Sequence, residues 1–170
     1  KKNDPNHLNL GIRYGYIEQL DDELLRISKE SFDALSFNCY ALSPDHEKMN
    51  HALEISGLPM IIGEYHFGTV DRGLAQSLWQ VNSQKERGDA FRYYTENAFA
   101  HRGLIGTGWF RWIDQNINGR TDGENYNCGF IDVTDRPYPY MVDAAIKTAK
   151  SLYEIHSGTK TPFHQAPNAV

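Results

Sequence analysis

Cysteine is scarce: Cys39 and Cys128 are the only two, so at most one disulfide is possible. Neither sits in a Cys-x-x-Cys or Cys-x-x-His pattern, and two free thiols are expected rather than a metal site. Positive charge is short as well. Seventeen Lys and Arg against 22 Asp and Glu leave a formal net charge of −5 and a pI near 5.8, with no basic cluster along the chain. That balance gives no footing for a phosphate backbone or an anionic membrane, so nucleic acid is not an expected partner. No apolar run approaches the roughly 20 residues that cross a bilayer. The opening "KKNDPNHLNL" lacks both an initiator Met and the apolar core of a secretion signal, as expected of a processed chain or of one cut from something longer. Cofactor and triad fingerprints are missing too. No Gly-x-Ser-x-Gly elbow occurs, and "GTG" (Gly106 to Gly108) lies inside an apolar run without opening a helix, so no cofactor is expected. "HEKMNH" puts His46 and His51 five residues apart, about 140° around a helix, where a zinc helix needs a spacing of four.

What remains is an ordinary globular composition, 40% hydrophobic and 23% charged over 170 residues, enough for one core. Two periodicities alternate along it. "HLNLGIRYGY" (His7 to Tyr16) reads as a strand and "DDELLRISKE" (Asp21 to Glu30) as an amphipathic helix with an acidic first turn. "FDALSFNCY" (Phe32 to Tyr40) is strand-like, and "SPDHEKMNHALEISG" (Ser43 to Gly57) opens on Ser-Pro and closes on Gly as a short helix. "LPMIIGEYHF" (Leu58 to Phe67) is a third strand. After a longer connection come a helix from Gln84 to Gly103, a strand "LIGTGWFRWI" (Leu104 to Ile113), and a last helix from Tyr140 to Gly158. Residues 1–158 form the expected domain, followed by a polar tail, 159–170, that is either loose or docked.

Strand-helix repeats with nearly all-apolar strands imply an α/β protein with a parallel sheet covered by helices. Strand starts near residues 8, 34, 59 and 104 give two steps of about 25 residues and one of about 45, against roughly 30 per unit in a (β/α)8 barrel. Four βα units are about half of such a barrel. An open doubly wound sheet of four strands is the alternative.

The third strand ends in Glu64. Strand alternation sends Met60, Ile62, Glu64 and His66 one way, and Ile61, Gly63 and Tyr65 the other. A carboxylate at the C-terminal end of a barrel strand is placed to act as base or nucleophile. Its plain alternative is an ion pair with a nearby arginine. The other strand ends carry Arg13 and Tyr14, then Asn38 and Tyr40, then Trp109, Arg111, Trp112, Asp114 and Gln115. Guanidinium, amide and carboxylate groups beside indole faces suit a sugar, whose hydroxyls need bidentate partners and whose C–H faces stack on rings. Trp109 and Trp112 have opposite parity, so at least one is expected to pack into the core.

The order "SFNCY", "PMIIGEYHFG", "GTGWFRWIDQ" and "GENYNCGFIDVTDRPYP" resembles strands five to eight of the catalytic barrel in clan A glycoside hydrolases. "DPNHLNLGIR", "GEYHFGTVDRGL" and "DQNINGRTDGENYNCGF" look most like the family 50 β-agarases, and the similarity spans most of residues 4–155. The resemblance implies the C-terminal half of a (β/α)8 TIM barrel in a retaining enzyme. It puts the nucleophile on Glu64 and an orienting hydroxyl on Tyr40. The aromatic residue lining the −1 sugar site falls on Trp109, Phe110 or Trp112. Arg13, Asn38, His66, Trp112, Asp114, Gln115 and Glu124 complete the candidate sugar contacts, although Glu124 is expected mainly to order its own loop.

Retaining hydrolysis needs a second carboxyl, about 5–5.5 Å from the nucleophile. In the family that acid ends the fourth strand, commonly after Asn, and no Asn-Glu dipeptide exists here. Glu18, Asp114 and Glu124 are the carboxylates within reach, and none matches the acid's place in the pattern. The expected function is therefore the nucleophile half of a β-agarase-like hydrolase of galactose-containing polysaccharide, silent on its own. A β-galactosidase-like relative or a non-catalytic carbohydrate-binding half-barrel are the alternatives. Expected partners are an oligo- or polysaccharide and either an N-terminal half-barrel or a second copy. If the parent degrades polysaccharide, a periplasmic or secreted location follows.

Overall fold

Residues 3–170 are described by a computed structural model; Lys1 and Lys2, part of the expected domain, lie outside the described residues. Strands and helices alternate as β1 (Arg13–Tyr14), a 3-10 turn (Ile17–Gln19), α1 (Asp22–Ser31), β2 (Leu35–Asn38), α2 (His46–Ser56), β3 (Met60–Tyr65), α3 (Gln84–Phe99), β4 (Leu104–Trp109) and α4 (Pro139–His156). All neighbouring strands are parallel, in the order β1-β2-β3-β4. A doubly wound sheet reverses its strand order at a switch point, and this order never reverses. Successive right-handed crossovers then put the helices on one side of the sheet. The core bears this out. Leu25 of α1, Met49 and Ala52 of α2, Phe91 and Tyr94 of α3, and Met141 and Ala144 of α4 join Leu35, Phe37, Met60, Ile62 and Leu104 in a single cluster.

Local chemistry starts and stops the helices. Asp21 accepts from Leu24 N at 2.8 Å, Asp45 from Glu47 N and Lys48 N, and Ser83 from Glu86 N at 3.2 Å, each satisfying amides of a first helical turn. Helix α2 thus begins after Asp45 rather than at Ser43, because the Asp carboxylate caps it and Pro44 lies outside. Gly57 closes it with φ 68°, the left-handed conformation that a side chain disfavours.

Three strand expectations need correcting. The first strand, expected over His7 to Tyr16, is reduced to two residues. The Asn9 side chain accepts from Gly11 N, Asn9 N donates to Asp33, and Gly11 adopts φ 69°, so the chain turns before it can extend. Leu8, Leu10 and Ile12 are left exposed. The expected alternation of β3 also fails. Asn38 pairs with Glu64 while Phe37 pairs with Ile62, so Gly63 is an extra residue, a β-bulge. Met60, Ile62 and Tyr65 therefore all enter the helix-covered core, and Glu64 leaves on the opposite face from Met60 and Ile62.

Strand β4 ends at Trp109, short of the expected Ile113, and passes into a long excursion that returns to pair Ile113 with Ile131. The tail is docked. Val170 and Gln80 exchange backbone hydrogen bonds at 2.9 and 3.0 Å, and Phe163 N donates to Glu96 at 2.8 Å. Both cysteines are buried and free. Among the described residues no helix is long and apolar enough to cross a membrane.

Candidate active site

Glu64 sits at the carboxyl end of β3 with three donors converging on it. Tyr40 OH donates to Oε2 at 2.9 Å, Asn38 Nδ2 to the same oxygen at 3.1 Å, and Arg13 Nη2 lies 2.9 Å from Oε1. These donors come from the carboxyl ends of β1 and β2 and the residues just after β2, which the parallel order brings side by side. Two hydrogen bonds and one ion pair fix the direction in which the carboxylate points. Burial first, and the Glu64 charge second, push the Tyr40 phenol well above the ordinary tyrosine value, so it stays protonated and donates.

Glycines let this cluster close. A Cβ on Gly63 would overlap Arg13 Cδ, stand 3.1 Å from Cγ and 3.2 Å from Asn38 Oδ1, so the arginine stem lies in the space a side chain would fill. A Cβ on Gly108 would come within 2.6 Å of Gly63 O, which leaves β4 free to approach the bulge. Gly63 was not legible as a site residue. Its only signal is a glycine interrupting an apolar strand one residue before a carboxylate.

His66 is 1% exposed and cannot touch a sugar. Its Nε2 accepts from Leu78 N at 3.3 Å, and its ring meets Tyr40 edge-on at 5.1 Å. Burial pushes its pKa down to about 4, so it is neutral and braces Tyr40 against the 66–83 connection.

The two indoles separate. Trp109 is half-buried among Tyr65, Phe91 and Phe130, with Nε1 donating to Cys128 O at 2.6 Å. Trp112 is 68% exposed and stacks on Phe130 at 6.0 Å and 21°. Of the pair, Trp112 offers an open ring face.

Asp114 and Gln115, expected at the sugar rim, are buried instead. Asp114 accepts from Asn127 Nδ2, from Gly129 N at 2.7 Å and from Tyr138 OH at 2.6 Å. Gln115 Nε2 donates to Glu124 at 2.6 Å, and its Oε1 accepts from Tyr126 N at 2.7 Å. A loop this long carries many backbone groups, and these side chains satisfy them from within. Glu124 also meets Arg120 at 3.3 Å and so orders its own loop. Arg87, missed by the sequence reading, completes the arrangement. It is fully buried on α3, donates to Asn127 O at 3.0 Å and to Gly129 O, and lies 4.5 Å from the Tyr138 ring centre. Its signal was positional: Gln84, Arg87, Gly88 and Phe91 share one helix face, and all are buried.

Of the carboxylates considered as acids, Glu18 pairs with Lys48 at 2.7 Å, while Asp114 and Glu124 are held as above. Among the described residues, no hydrogen bond or ion pair links any of the three to Glu64. Nor does any group of three His, Cys, Asp or Glu there suit a metal ion.

A parallel α/β sheet with an ion-paired glutamate at a strand's carboxyl end defines the class: it matches part of the TIM-barrel glycoside hydrolases. The relatives narrow that class. No protein-family model matches the sequence. β-Agarase A of Vibrio sp. (strain JT0107) is 38% identical over 156 residues, 88% of this chain and 16% of the relative. β-Agarase B of the same strain is 36% identical over 160 residues, 90% of this chain and again 16% of the relative. The crystal structure of the agarase AgWH50C superposes with a TM-score of 0.83 at 38% identity, covering 92% of this chain and 22% of that one. The chain is therefore homologous to the family 50 β-agarases and spans about a sixth of the length of the curated relatives it matches.

Proposed function

We propose that this chain supplies the nucleophile half of a retaining β-glycoside hydrolase that cuts agarose or a closely related galactose-containing polysaccharide. The observation that carries the reading is the triple contact on Glu64. In the reaction, Glu64 attacks the anomeric carbon while a carboxylic acid protonates the departing oxygen; water then releases the sugar from the ester. Tyr40 and Asn38 fix the carboxylate's direction, and Trp112 offers a ring face to a neighbouring sugar. The acid is supplied by residues outside this chain, since Glu18, Asp114 and Glu124 are all engaged elsewhere. The partner is then a separate or covalently preceding half-barrel, or a second copy that closes the sheet edges at β1 and β4. Alone, the chain should cleave neither agarose nor an aryl β-galactoside.

Labelling tests this directly. In the complete hydrolase containing these residues, an activated 2-fluoro-galactoside should attach to the peptide bearing Glu64. Glu64→Gln, which keeps shape and removes charge, should lower turnover by about three or more orders of magnitude while oligosaccharide binding persists. A label on Asp71 or Glu124 instead would overturn the assignment.

A further inference from the structure

The two oxygens of Glu64 are held unequally. Oε2 takes both Asn38 and Tyr40, which are part-buried, whereas Oε1 takes only Arg13, whose side chain is 53% exposed against 20% for Glu64. Oε1 is thus the oxygen whose partner can yield to a substrate. Arg13 reaches it through the space above Gly63, and beside that space Asn38 Oδ1 is buried with no hydrogen-bond donor. An unpaired acceptor next to a guanidinium gives its N–H groups a second place to go.

We propose that Arg13 is a catalytic residue for the second half of the reaction, stabilising Glu64 as it leaves the sugar. The proposal rests on the retaining reading above. In the first half, Oε1 bonds to the anomeric carbon, the bond to the departing sugar oxygen breaks, and that oxygen takes a proton from the acid. Glu64 is then a neutral ester. Arg13 loses its anionic partner and turns an N–H toward Asn38 Oδ1. In the second half, water attacks the anomeric carbon and gives its proton to the conjugate base of the same acid. The bond to Oε1 breaks with its electron pair kept by Glu64. A guanidinium already in place stabilises that returning charge. The same cation stabilises the resting carboxylate, so it slows the attack that uses it up. Arg13 therefore moves the two barriers in opposite directions, which a residue that merely supports the fold does not do.

The test compares labelling and recovery in the complete hydrolase. A 2-fluoro-galactoside traps the ester, and activity returns as the ester hydrolyses. Removing one hydrogen-bond donor from a developing anion typically costs 10²–10³ in rate, and the exposure of Arg13 reduces this to about 10–100-fold. Arg13→Gln should thus slow recovery by about that factor, with labelling unchanged within a few-fold or faster. Gly63→Ala, whose methyl would displace the arginine without altering its charge, should show the same split. Arg13→Lys, keeping a cation, should recover faster than Arg13→Gln. Equal slowing of both steps in Arg13→Gln would overturn the proposal and leave the retaining reading intact. A wild-type enzyme that takes no label on Glu64 would overturn both.

Discussion

Replacing each indole at the end of β4 by alanine should give opposite outcomes. Trp109→Ala opens a hole bordered by Tyr65, Phe91 and Phe130 and takes from Cys128 O the shorter of its two donors, leaving Arg111 N at 3.4 Å. Full burial of a large aromatic is worth about 3–5 kcal/mol on truncation. Half-burial reduces this to about 2–3, and the lost hydrogen bond adds about 1. In a domain of this size each kcal/mol moves Tm by about 2–4 °C, so Trp109→Ala should lower it by roughly 6–16 °C. Trp112 loses only its stacking on Phe130 and already stands in solvent. Its removal should cost under about 1 kcal/mol, hence less than roughly 4 °C. Its effect should fall on the ligand instead, weakening agaro-oligosaccharide binding about tenfold. Thermal unfolding followed by circular dichroism and calorimetric titration of the same two variants make the comparison. Similar Tm losses in both, or weaker binding in Trp109→Ala alone, would refute this account of the strand's end.

Arg87→Met should be more damaging than any surface substitution, by about 3–5 kcal/mol. It strands Asn127 O and Gly129 O together, and hydrogen exchange should show loss of protection across residues 114–131. His66 supplies a pH signature. Its folded pKa of about 4 lies below the ordinary 6.5, so the unfolded chain binds the proton first. The stability it contributes is complete above about pH 6.5 and falls as pH drops toward 4, by roughly 3 kcal/mol. His66→Gln keeps an acceptor for Leu78 N and cannot titrate there, so its urea midpoint should change less between pH 7 and 4.5. An unchanged pH slope in that variant would show that His66 is not the group responsible.

Sequence alone determined the features that depend on near neighbours along the chain. Apolar runs marked β2, β3 and β4, Asp21 and Ser83 cap the helices that follow them, and Glu64 terminates its run whatever the rest of the molecule does. The carboxylate was legible for that reason, whereas Tyr40 as its partner came from the family resemblance. Directions were not legible. Alternation read from the sequence sent Glu64 the same way as Met60 and Ile62, which the folded chain packs against the helix layer. It escapes because the pairing of β3 with β2 accommodates Gly63 as an extra residue, and pairing is a property of two strands rather than one. Asp114 and Gln115 failed differently. They look like rim residues, but the excursion from residue 110 to 131 is long enough to need its own internal donors and acceptors, and it recruits them. Arg87 is the converse, a cation buried on a helix face because the carbonyls it satisfies lie 40 and 42 residues away in sequence. A side chain's type and its place at a strand end are local facts. Whether it faces a ligand, a loop or the core depends on register and on backbone groups elsewhere that must find partners, and only the folded chain brings those together.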